Sequence, residues 1–145
     1  MNRIYKHYKF ELSSIALRES FSSYPGMLSS LDDFYIMSSG LTMVQTTNSV
    51  FNMDLYSKVH PESLLAWQRV RLANEISKSG KEWYKNVKQF NSGTYNNQWM
   101  VIDYKKVVPG SKTLAPGTLW IGEQLPGTEL DNISDISQDS FRVVT

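Results

Sequence analysis

Residues 34–47 read Phe-Tyr-Ile-Met-Ser-Ser-Gly-Leu-Thr-Met-Val-Gln-Thr-Thr, "FYIMSSGLTMVQTT". Two apolar runs, Phe34 to Ser38 and Leu41 to Thr47, are separated by Ser39-Gly40 alone. Glycine supplies the positive φ that a tight turn requires, so the pair predicts a β-hairpin. Phe34-Tyr35-Ile36-Met37 is also apolar on both alternations, and strands of that kind have both faces covered. A sheet built on this hairpin therefore calls for a covering layer on each side.

Toward the N-terminus, Ser14 to Glu19 predicts another short strand, and Tyr24-Pro25-Gly26 is a turn signal, with proline setting φ and glycine following it. Arg3, Lys6, His7 and Lys9 alternate with Tyr5, Tyr8 and Phe10, the pattern of a solvated or interfacial strand. Toward the C-terminus the chain turns helical. Pro61 and Glu62 open a helix whose missing N–H and negative charge suit a first turn, and Gly80 marks its stop. At 100° per residue, Leu65, Ala66, Val70, Leu72, Ala73 and Ile76 fall in one arc, with Arg69 in its middle. A cation there must snorkel outward or meet a carboxylate, and Asp33 is the candidate partner. A second helix is predicted from Lys81 to Phe90, carrying Trp83, Val87 and Phe90 on one side. Trp99 to Tyr104 and Thr118 to Glu123 then read as strands divided by Pro109-Gly110 and Pro116-Gly117, and Leu130 to Thr145 reads as polar loop or tail. The order strands, helices, strands predicts an α+β arrangement, an antiparallel sheet with a helix pair on one face. The pair covers only one face, so the second cover must come from elsewhere.

Composition narrows the chemistry. The 145 residues suffice for one domain, and 41% hydrophobic with 20% charged residues is ordinary globular usage. Fifteen basic against fourteen acidic side chains leave no field that would draw nucleic acid. The absence of cysteine removes disulfides, zinc-thiolate sites and a thiol nucleophile from these residues. No run approaches the eighteen or so apolar residues of a membrane span. The start, MNRIYKHYKF, has no apolar h-region, so the chain taken alone carries no secretory signal and would stay in the cytosol. Asp32 and Asp33 are adjacent on an extended segment and point apart, which suits a turn better than shared acid–base work. His7 and His60 lie in different segments without metal-ligand spacing, and no Gly-x-Ser-x-Gly elbow or phosphate loop occurs.

Two polar clusters remain. Thr46-Thr47-Asn48-Ser49 ends the hairpin's second strand, either as a site wall or as a turn cap. Residues 90–99, "FNSGTYNNQW", follow the second helix, where Asn and Gly tolerate the left-handed conformation that ends it. Asn91, Asn96 and Asn97 lack Ser or Thr two places on, and the one glycosylation sequon is Asn132-Ile133-Ser134.

The segments "SSYPGMLSSLDDFYIMSSGLTMVQTTNSVFN", "LLAWQRVRLAN", "FNSGTYNNQWMVIDYKK" and "LWIGEQLPG", in this order over residues 13–128, resemble the phospholipase B-like, or lamina ancestor-like, family. The resemblance implies an N-terminal nucleophile hydrolase fold, an αββα sandwich of which this chain forms a part. It also implies secreted or lysosomal glycoproteins cut internally to free a cysteine at a new N-terminus, whose amino group serves as base for its own thiol. The implied reaction is hydrolysis of an ester or amide acyl bond, by name in phospholipids, with no cofactor. That nucleophile would lie upstream of Met1, so no catalytic residue is expected here and the chain alone should be inactive. Residues 1–128 would be a partial hydrolase domain. Residues 129–145, ending "SDISQDSFRVVT", depart from the family's Trp/Tyr-rich continuation and its oxyanion-binding asparagine. Thr47 matches a family threonine near the nucleophile, Thr46 and Asn48 flank it, and Asn96 and Asn97 would support the site from behind or simply fix the helix-to-strand junction. The implied partners are a phospholipid or other acyl substrate and the remainder of the hydrolase chain. The rival expectation is a truncated, non-catalytic relative that binds lipid or a protein through its exposed sheet face.

Overall fold

A computed structural model describes residues 2–11, 15–31, 33–127 and 134–135. Seven antiparallel strands form one sheet in chain order: β1 (Ile4–Lys9), β2 (Arg18–Ser23), β3 (Phe34–Met37), β4 (Leu41–Thr47), β5 (Asn97–Asp103), β6 (Leu119–Glu123) and the two-residue β7 (Ser134–Asp135). The quoted stretch is the β3–β4 hairpin, with Tyr35 opposite Met43 and Ile36 opposite Thr42. Gly40 sits at φ 81° and its N–H donates to the Met37 carbonyl at 3.0 Å, the turn that the Ser-Gly pair predicts. The basic–aromatic N-terminal segment is a strand, as its pattern implies. The strand expected over Ser14 to Glu19 instead runs from Arg18 to Ser23, because Glu19, Phe21 and Ser23 are the residues whose alternation meets the core. The tail beyond residue 130 contributes β7, which pairs Ser134 with Ile121.

Both helices lie between β4 and β5, α1 (Ala66–Ile76) and α2 (Gly80–Val87). The first helix starts later than Pro61 suggests. Leu64 is held out of it by a parallel bridge to Asn91, and its N–H donates to the Phe90 carbonyl at 2.9 Å. Leu65 has no side chain that could cap, and the Gln68 Oε1 accepts from its N–H at 2.9 Å instead. Gly80 begins α2 rather than ending α1: Ser79 accepts from the Glu82 N–H at 3.2 Å, a helix N-cap. The place is fixed by packing, since a Cβ on Gly80 would stand 2.5 Å from the Trp120 ring.

The buried stripe of α1 is Ala66, Arg69, Val70, Ala73 and Asn74, an i, i+3, i+4 pattern with Arg69 at its centre as the wheel predicts. Leu65, Leu72 and Ile76, expected in the same arc, are about half exposed, and Phe90 beyond the end of α2 is exposed as well. Trp83 lies edge-on to Tyr84 and 5.8 Å from Trp99, while Phe21 stacks on Tyr35 and meets Tyr8 edge-on at 5.1 Å. Each fully buried large side chain of this kind stabilises by about 1.5–3 kcal/mol.

The second face of the sheet has no such cover among the described residues. The ladder register lines up Phe34, Val44, Met100 and Ile121 in one row and Ile36, Thr42, Ile102 and Leu119 in the next. Ile36 is 48% exposed, Phe34, Val44, Met100, Ile102, Leu119 and Ile121 are partly buried and Thr42 is buried, in contrast to 0% for Met43 on the other side of the same hairpin.

Candidate functional site

The residues singled out from sequence converge at one end of the sheet. Thr46, Thr47 and Asn48 finish β4, and Asn96 and Asn97 begin β5 beside them. Thr47 stands opposite Asn97, Thr46 opposite Gln98, and the Asn48 N–H donates to the Asn96 carbonyl at 2.9 Å. Thr46 shares the open face with Gln98 and Glu123, whose side chains bond at 3.0 Å. Thr47 and Asn97 belong to the opposite side, so the two threonines cannot serve one atom together.

The two asparagines are built differently. Asn96 Nδ2 donates to the Gly93 carbonyl at 3.0 Å and its Oδ1 accepts from Gln124 Nε2 at 3.2 Å. The same Gln124 nitrogen donates to the Thr94 carbonyl at 3.1 Å. Asn97 is fully buried, yet neither its Oδ1 nor its Nδ2 meets a protein partner. Gln45 Oε1 and Trp99 Nε1, on the same side of the neighbouring register position, are unpartnered too. A buried polar atom left so costs about 1–3 kcal/mol, so this corner of the sheet has unused capacity for polar contacts.

Behind it stands Arg69, and here the expected ion pair is corrected. Asp33 lies exposed just before β3 and pairs with Arg3 at 3.0 Å. Arg69, 2% exposed, instead donates from Nε to the Leu64 carbonyl at 3.0 Å, from Nη1 to the Val87 carbonyl at 2.6 Å and from Nη2 to Gln124 Oε1 at 3.1 Å. The guanidinium fork has enough donors to close three neutral acceptors, and Val87 is the last residue of α2, where the helix dipole is negative. Burial nonetheless lowers its pKa to about 10. The chain Arg69–Gln124–Asn96 thus ties both helices to the strand end. Gln124 went unnoticed in the sequence because nothing local distinguishes it from any polar residue after a strand.

The rest of "FNSGTYNNQW" is a self-bonded connector. Asn91 Oδ1 accepts from the Gly93 N–H at 3.0 Å and Asn91 Nδ2 donates to the Leu125 carbonyl at 3.1 Å. Phe90, Gly93 and Tyr95 take left-handed φ values of 56°, 70° and 53°, which for the two aromatics costs of order 1 kcal/mol each. Asn96 thus spends both polar atoms of its amide on this connector and on Gln124. Asn132, the sequon residue, and Asp32 lie outside the described residues. Among the described residues no helix is long and apolar enough to cross a membrane.

An α+β protein with one covered and one bare sheet face, and a polar corner at its β4–β5 end, is the class these features define. A family model described as Phospholipase B matches residues 1–142, a span that takes in the polar stretch after 128, and the chain belongs to that family. It is similar to Phospholipase B-like 1 of Rattus norvegicus, 57% identical over 129 residues that make up 87% of this chain and 23% of that protein. Phospholipase B of Crotalus adamanteus is 56% identical over 127 residues, 86% of this chain and 23% of its own length. Phospholipase B-like protein B of Dictyostelium discoideum is 48% identical over 146 aligned positions, 97% of this chain and 25% of that protein. The chain thus spans about a quarter of the length of the curated relatives it matches.

Proposed function

We propose that this chain is part of the catalytic domain of a phospholipase B-like acyl hydrolase, one that removes fatty acyl groups from phospholipids or cleaves a related ester or amide. The observation that carries this reading is the family match over residues 1–142. The bare apolar sheet face supports an αββα sandwich of the N-terminal nucleophile type, in which a second sheet from the longer protein covers the rows of Phe34 and Ile36. The nucleophile, a cysteine in this reading, comes from outside these residues, which contain none. The chain's own contribution is a wall: Thr47 with Thr46 and Asn48 at its edge, and Asn97 with free hydrogen-bonding atoms beneath. Thr47 orients a bound group, while Asn96 holds the wall in place through Gln124 and Arg69. Secretion or lysosomal residence and a glycan on Asn132 belong to the same reading.

Acyl release from phosphatidylcholine vesicles tests it. A protein spanning the full length of the relatives should release fatty acid, and the 145-residue chain alone should release none. Comparable release by the chain alone would overturn the external nucleophile. A second reading, a non-catalytic relative that binds lipid or protein, draws on the same bare face. It predicts co-sedimentation of the 145-residue chain with phospholipid vesicles, and absence of co-sedimentation would remove its lipid version.

A further inference from the structure

Glu19 lies on the covered side of β2, 3% exposed, where an ordinary carboxylate is rarely found unpaired. Its Oε1 accepts from Asn74 Nδ2 at 2.5 Å, and Asn74 Oδ1 in turn accepts from Trp83 Nε1 at 2.8 Å. One carboxyl thereby joins β2 to α1 and, through the buried Asn74, to α2. The groups facing it are few. From α1, Arg71 attracts and Glu75 repels, but these two are paired with each other at 3.1 Å. Tyr8 of β1 and Met37 of β3 stand directly opposite and, with Trp83 of α2, carry no charge at neutral pH.

The β1–β2 edge has few other ties to α1. Arg71 lies over the Tyr8 and Phe10 rings at 5.7 and 4.8 Å, and the N–H groups of Ile15 and Ala16 donate to the Glu75 carbonyl at 2.9 and 3.0 Å. Between this edge and α1 opens a cleft of about 670 Å³ whose walls include Phe10, Met27 and Trp67. Glu19 therefore sits beside this cleft, whose wall also includes its strand neighbour Tyr8 and Arg71 of α1.

We propose that Glu19 is a pH-sensitive latch: protonated, it holds the β1–β2 edge closed against the helix pair, and ionised, it loosens that edge and widens the adjoining cleft. The neutral carboxyl keeps the Asn74 bond without burying a charge, whereas the carboxylate must draw in water or a cation. Burial raises its pKa from 4.5 to about 7, with the Asn74 bond and Arg71 opposing the rise and Glu75 adding to it. Below pH 4.5 the folded and unfolded chains both carry the proton and no penalty exists, while above about 7 both are ionised and the penalty is complete. Stability is therefore lost as pH rises through that window.

The test is denaturant unfolding of the protein from pH 4 to 8, alone and as Glu19→Gln, with hydrogen exchange over residues 16–23 at each pH. The folding constant of the unsubstituted protein should fall by up to about 300-fold across the window, because each pH unit between the unfolded and folded pKa values contributes a factor of about ten. Exchange in β2 should quicken in parallel. Glu19→Gln preserves the acceptor for Asn74 and should lose this component. Parallel pH slopes in the two proteins would overturn the latch. Two further variants keep the test decisive if Glu19→Gln fails to fold. Glu75→Gln should move the midpoint to lower pH and Arg71→Met to higher pH, and midpoints that stay put or move the other way would also overturn it.

Discussion

The two faces of this one sheet obey different rules. On the helix side, Met43, Trp83, Trp99 and Val101 are sealed from solvent, and Asn74 and Tyr84 are bonded into networks, with Asn97, Gln45 Oε1 and Trp99 Nε1 the unpartnered exceptions at the strand end. The Tyr84 hydroxyl spans two strands, to the Trp99 and Trp120 carbonyls, and burial drives its pKa well above that of a free phenol. On the other side, Phe34, Val44, Met100 and Ile121 form a row that is only partly buried in this chain although its composition is that of a core. The contrast teaches that apolar content reports the cover a strand was selected for, and accessibility reports the cover that these residues supply. The 23% share of the relatives' length accounts for the gap in the proposed reading.

The sharpest break of that contrast is Trp83→Ala. It empties a sealed site and strands Asn74 Oδ1, so urea unfolding should show a loss of about 3–5 kcal/mol. Next comes Arg69→Met, which leaves the Leu64 and Val87 carbonyls and Gln124 Oε1 without their donor. Its expected cost is about 2–4 kcal/mol, and Arg69→Lys should recover little because an ammonium cannot present the planar fork. The asparagine pair divides more finely. Asn96→Ala frees the Gly93 carbonyl and one of the two Gln124 Nε2 donors and should cost about 1–2 kcal/mol, whereas Asn97→Leu should be neutral to stabilising in this chain because it removes a buried amide to which nothing here is bonded. A large cost for Asn97→Leu in a protein of the relatives' full length, by the same melt, would mark the arrival of a polar partner there. The smallest effect belongs to the bare face: Ile36→Thr should change the stability of the 145-residue chain by less than about 1 kcal/mol while reducing its light scattering. A loss as large as that of Trp83→Ala would mean that the face is already covered, and the contrast would fall.

Much of this was legible in the residues. The β3–β4 hairpin announced itself through Ser39-Gly40, and β4 runs over the residues its apolar pattern marks, because a two-residue connection leaves a strand little freedom of register. The convergence of Thr47 with Asn97 was not legible, since fifty residues separate them and only the β4–β5 ladder brings them opposite. The partner of Arg69 misled for a different reason. A carboxylate is the partner one seeks for a buried cation by charge, but carbonyls at a helix end serve equally well and leave no trace in side-chain identity. Gly80 misled because a glycine that ends a helix and one that lets an indole approach look alike in sequence.

The residues by themselves determined the strand–helix–strand order, the placing of Arg69 at the centre of the buried stripe, the absence of a thiol, and the family through four ordered segments. All of these rest on local periodicity, residue chemistry or linear order. Tertiary structure alone decided which sheet face is sealed, that Gln124 links Arg69 to Asn96, that Asn97 is buried without a partner, and that Glu19 closes on Asn74 and Trp83. Those depend on which side of each strand the helices cover, a choice made by packing between segments far apart in the chain.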